Sequence, residues 1–166
     1  MENNTLVSTS AVAFITPEEL KEHWQGHRRL TRRLIEGYPE EQLFTHSIAG
    51  MRSFGHLLHE LIGITRGVRG IAGEGWEQVE LDKKAVPDTK EGLLQVWDEQ
   101  TALIEAVWPG IKAERFHETD KAFGAYEDKI YSLVLYFIDN EVHHRGQAYV
   151  YYRSLGLEPH PFWDRN

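Results

Sequence analysis

An all-α fold of the four-helix-bundle type, with one irregular insertion between the third and fourth helices, is what this sequence predicts. Three observations carry the prediction: apolar residues recur at three- and four-residue steps in four long segments, helix-start and helix-stop residues flank those segments, and strand-like alternation is nowhere convincing. Each apolar stripe has to be buried against the others. A chain of 166 residues with 41% hydrophobic side chains supplies one core rather than two, so a single domain over residues 1–166 is expected.

The first helix starts at Thr16-Pro17-Glu18-Glu19, where a hydroxyl cap precedes proline at the first helical position and Glu19 reaches back to the cap. Leu20, Trp24, His27, Leu30, Thr31, Leu34 and Ile35 form its buried stripe, and Gly37-Tyr38-Pro39 stops it. The second helix begins near Ser53, carries Phe54, Leu57, Leu58, Leu61, Ile62, Ile64 and Val68, and frays at Gly70 to Gly75. A polar connection from Trp76 to Pro87 leads to Asp88 and Glu91, a capping pair for the third helix, which ends at Pro109-Gly110. Residues 110–126 lack a sustained period and are assigned to a loop with room for a short hairpin or helical turn. The longest helix spans about Glu127 to Leu155, with Gly156 as its stop. In the tail, Phe162 and Trp163 are expected to pack back on the body.

Asp and Glu number 26 against 18 Lys and Arg, and the resulting net charge of -8 repels a polyanion at long range, which argues against nucleic acid. The one dense basic cluster, Arg28, Arg29, Arg32 and Arg33, reads as a solvated helix face rather than a phosphate site. The absence of cysteine excludes disulfides, thiolate metal sites and thiol nucleophiles, and suits a cytoplasmic protein. No apolar run approaches the roughly 20 residues needed to span a bilayer, so no membrane partner is expected. Leu6 to Ile15 is broken by Ser8, Thr9 and Ser10 and lacks a basic lead, so residues 1–15 read as a loosely ordered arm rather than a secretory signal.

Chemistry concentrates in the last helix. Asn140 and His144 lie one turn apart on the face that carries Leu133, Phe137, Ala148 and Tyr151, while His143, about 100° around the axis, faces solvent or a partner. His144 read alone is a core histidine satisfied by polar neighbours. Glu60 of the second helix shares a line with Leu57 and Ile64, and a carboxylate held there needs a cation or a proton with it. Glu60, His144 and Asn140 together would offer oxygen and imidazole ligands to a divalent ion such as zinc, nickel, manganese or iron. His27, one turn from His23, is a candidate substrate-facing or supporting group, whereas His46, His117 and His160 fall in surface loops. A phosphate loop, a nucleophile elbow and a His-Glu-x-x-His motif are all missing.

The run Asn140-Glu141-Val142-His143-His144-Arg145-Gly146-Gln147, continuing through Tyr149 to Gly156, resembles the closing helix of the DinB/YfiT-like family of metal-binding bundles. His23-Trp24-Gln25-Gly26-His27-Arg28 and Gly50-Met51-Arg52-Ser53-Phe54-Gly55 extend the resemblance to residues 17–165. It implies three metal-binding histidines, one from the second helix and two at i, i+4 in the last. Carried over, the last falls on His144, the middle one on Asn140, and the first on Glu60 with Gly55 as register mark, or on His59 if the register slips by one. Two of the three positions therefore depart from histidine, and asparagine is a poor ligand for zinc or nickel.

The resemblance implies a metal-dependent enzyme, a hydrolase or a thiol-dependent transferase or isomerase, acting on a small molecule. Glu60, His144 and His27 are then the candidates for proton transfer, with any thiol supplied by a low-molecular-weight cosubstrate. The alternative is a non-catalytic, stress-related binding or assembly module in which Glu60 and His144 hydrogen-bond each other. A homodimer is compatible with both.

Overall fold

The computed structural model describes residues 14–77 and 85–166. Thr16 caps α1 (Pro17–Gly37) through a complete capping box: its hydroxyl accepts from the Glu19 amide, and the Glu19 carboxylate accepts from the Thr16 amide at 2.8 Å. A one-turn helix, α2 (Glu40–Leu43), follows, then α3 (Phe54–Thr65) and the short α4 (Val68–Ile71). The turn between α3 and α4 falls at Gly67, where a Cβ would lie within 3 Å of the Phe123 and Phe137 rings. Helix α5 (Lys90–Val107) is capped by Thr89, whose hydroxyl accepts from the Gly92 amide, one residue later than Asp88. The longest helix, α6 (Ile130–Ser154), ends at Gly156 in a left-handed conformation with φ +77°.

The all-α expectation needs one correction. Within the irregular insertion, a 3-10 turn at Ala113–His117 leads into an antiparallel hairpin, β1 (Thr119–Ala122) and β2 (Tyr126–Lys129), with Ala122 opposite Tyr126. The last helix therefore starts at Ile130 rather than Glu127. Strand patterning failed to show because β2 is exposed at every position, leaving no apolar face to alternate. The described residues are mostly helical, with this one small sheet among them. No helix among the described residues is long and apolar enough to cross a membrane.

Helix α1 packs on α5 and α6, and α3 packs on the same two. Side-chain pairs give the directions: Lys21 with Glu105 and Arg28 with Trp97 make α1 and α5 antiparallel, while His27 with Arg145 and Gly37 with Tyr152 make α1 and α6 parallel. The apolar interior falls into two clusters. One gathers Trp24, Ile71, Ile104, Trp108, Val134 and Phe137; the other gathers Ile35, Phe54, Leu58, Ile62, Trp97 and Tyr151.

Between the clusters lies a belt of buried polar groups to which every long segment contributes: His27, Arg28 and Thr31 from α1, Thr65 from α3, Gln100 from α5, Glu141 and Arg145 from α6. Arg28 is fully buried, which corrects its placement on a solvated face. Its guanidinium donates to Thr101, Thr65 and the Trp97 carbonyl, and stacks 4.1 Å from the Trp97 ring centroid. Arg32 and Arg33, at the surface, pair with Asp98 and Asp164. The tail is corrected as well: Phe162 and Trp163 stay exposed, and Asp164 and Arg165 dock on α1 instead. The arm at residues 1–15 lies outside the described residues except for Phe14 and Ile15, both exposed, as does much of the 76–87 connection.

Candidate functional site

Glu60, Asn140 and His144 meet where α3 crosses α6. Leu57, Leu58 and Leu61 sink into the core on either side of Glu60 and hold its carboxylate at the seam, 32% exposed. On the facing helix, the one-turn spacing of Asn140 and His144 stacks an amide and an imidazole opposite it. Glu60 Oε1 accepts from His144 Nε2 at 3.0 Å and from Asn140 Nδ2 at 3.2 Å, and Oε2 accepts from the Arg52 guanidinium at 2.6 Å. Burial pushes the Glu60 carboxyl up, but the donors His144, Arg52 and Asn140 outweigh it and hold the pKa at about 2. The other ring nitrogen of His144, Nδ1, lies 2.9 Å from the side-chain amide of Gln147.

His27 does not join this cluster. Its Nδ1 accepts from Arg145 at 2.8 Å, so the ring carries its proton on Nε2. Burial first, then the charge of Arg145, lower its pKa to about 3, which keeps it neutral at physiological pH. Arg145 also donates to the Thr31 hydroxyl and the His27 carbonyl, while Thr31 donates to Glu141 at 2.6 Å. Burial raises the Glu141 pKa against the opposing charges of Arg28 and Arg145. His59, the slipped-register candidate, points instead toward Asp88 and the Pro87 carbonyl. His143 is exposed, as its place on the helix predicts.

Two groups escaped the sequence reading. Arg52 stands in the Gly50–Gly55 segment, but nothing in its spacing ties it to a residue eight positions on. Glu141 and Arg145 did leave a signal: Val134, Ile138, Glu141, Arg145 and Ala148 follow the 4-3-4-3 rhythm of a buried stripe, all five are buried, and two of them are charged.

The DinB family model matches residues 1–164. The chain belongs to the DinB family. Two DinB-like proteins are among the solved structures that share the fold. A DinB-like protein from Bacillus cereus superposes with TM-score 0.69 at 20% identity, covering 87% of this chain and 95% of that one. A DinB-like protein from Bacillus subtilis superposes with TM-score 0.71 at 18% identity, covering 89% and 99%. No curated protein matches the sequence.

The donors of this DinB-family chain do not compose a divalent metal centre as they stand. Glu60 Oε1 and His144 Nε2, the two best ligand atoms, are hydrogen-bonded to each other, and the Arg52 guanidinium already neutralises Glu60 Oε2. Asn140 turns its amide nitrogen, not its oxygen, toward the carboxylate. Among the described residues no three His, Cys, Asp or Glu side chains gather within ligating reach.

Proposed function

We propose that this chain is a non-catalytic, stress-related binding or assembly module of the DinB family, and that Glu60 and His144 form a structural hydrogen-bonded cluster. The hydrogen bond between Glu60 Oε1 and His144 Nε2, closed on the far side by Arg52, carries the proposal. The Arg52 guanidinium supplies here the positive charge that a seam carboxylate requires, and the His144 ring adds a hydrogen bond. The four long helices are read as the four-helix bundle of the family. The protein is taken to act in the cytoplasm as a homodimer and to engage small molecules rather than nucleic acid, in keeping with its charge of -8.

A second reading, a metal-dependent hydrolase or thiol transferase with Glu60, Asn140 and His144 as ligands, has one observation on its side. Asn140 Oδ1 is buried without a hydrogen-bond partner among the described residues. Elemental analysis of untagged protein, repeated on Glu60→Ala and His144→Ala, separates the two. The structural reading expects no stoichiometric metal after loading with zinc, nickel, manganese or iron, and a lowered melting temperature in both variants. Stoichiometric metal in the parent that is lost from both variants would overturn it.

A further inference from the structure

A cleft of about 660 Å³ opens between the β1–β2 hairpin and the outer face of α6, away from Glu60 and His144. Four aromatic rings and several carboxylates line it, and none of its described lining residues is Lys, Arg or His. Phe137, 3% exposed, forms the floor, with Phe123 tilted over it at a centroid distance of 6.1 Å and 31° between planes. Tyr126 and Tyr136 stand at the mouth, 61% and 48% exposed, 6.3 Å apart and inclined by only 28°. Glu127 and Asp139, both exposed and without a hydrogen bond or close ion pair among the described residues, also line the cleft, and the Asp139 charge acts on His23 of α1, opposing the burial and the Arg165 charge that lower that ring's pKa. Asp128 is engaged by Ser132 and the Lys129 amide, which fixes the wall between Glu127 and Asp139.

The hairpin tip holds this arrangement at a conformational cost. Phe123 has φ +54°, a left-handed conformation that is unfavourable for a non-glycine residue. Its ring nevertheless packs against Phe137 and Trp76, and Gly67 leaves room for it where a Cβ would stand 2.9 Å away. Phe123 and Phe137 are therefore set before a ligand arrives.

We infer that this cleft is a binding site for an organic cation with a flat apolar body, such as an aromatic quaternary or tertiary amine. Ring faces present their negative quadrupole to a cation, and the carboxylates of Glu127 and Asp139 add charge of the matching sign. An anionic ligand would meet both that rim and the net charge of -8.

The test is a ¹H–¹⁵N chemical-shift titration of the full chain with phenyltrimethylammonium, benzyl alcohol and benzenesulfonate. The cation is expected to saturate at least about tenfold more tightly than either comparator, with shifts centred on residues 122–139. Tyr136→Ala and Asp139→Asn, both at exposed positions, should each weaken it about five- to tenfold. Sedimentation of parent and Tyr136→Ala runs alongside. Any of three results overturns the inference: no saturable shift with the cation, equal binding of the neutral or anionic comparator, or affinity unchanged in both variants. A dimer that Tyr136→Ala dissolves would also overturn it, by making this face a contact between two copies of the chain.

Discussion

His27 shows how much a single partner decides. Arg145 donates to its Nδ1 within the interior, so charging the ring would set two cations 2.8 Å apart. The folded pKa of about 3 lies below the usual 6.5, so between those values the unfolded chain binds the extra proton and stability falls as the pH falls. Thermal melts should lose about 2–3 kcal/mol from His27 alone between about pH 6.5 and 4.5. His27→Gln, which keeps an acceptor for Arg145, is expected to flatten that slope; an unchanged slope would deny the assignment. Glu60 contributes in a lower window. Its folded pKa of about 2 lies beneath the usual 4.5, so its contribution is complete above about 4.5 and fades toward 2. After discounting for its partial exposure, that amounts to about 1–2 kcal/mol.

At the scale of the elements, the seam between α1 and α6 is joined by charge as well as by packing. Glu141 and Arg145 lie one turn apart with 3.6 Å between Arg145 Nη1 and Glu141 Oε1, both buried, and Thr31 bridges them. Removing one partner strands the other in a dry interior, so Arg145→Leu should cost about 3–5 kcal/mol in chemical denaturation. Glu141→Leu/Arg145→Leu should recover most of that loss, because an apolar pair of similar volume carries no desolvation cost. Additive losses in the double variant would contradict this. The same seam marks how far sequence reading reached. The four long helices, the Thr16 cap and the Gly156 stop were legible because apolar spacing and capping are local signals. Asn140 and His144 were legible by their one-turn spacing, and Glu60 by its line with Leu57. Arg28 was not, because a guanidinium among three other arginines gives no local sign that Trp97 and Thr101, about 70 residues away, will receive it. Arg52 closes the Glu60 cluster from outside any helix, where periodicity says nothing.

On the scale of the whole molecule, the polar belt divides the interior into two apolar halves, each built from segments distant in sequence. The parallel pairing of α1 with α6 places the first and last helices side by side. The bonds that join them link residues 110 and 118 positions apart, Thr31 with Glu141 and His27 with Arg145. Contacts of such long range are formed only after most of the loop-closure entropy has been spent. A chain ending at Gly124 is accordingly expected to lack a cooperative thermal transition; a sharp transition near the parent's would show that α1 is stable without α6. During synthesis, then, the buried arginine and histidine of the first helix emerge from the ribosome long before their partners exist. The nascent chain has to keep these groups hydrated until the segment that becomes α6 is made.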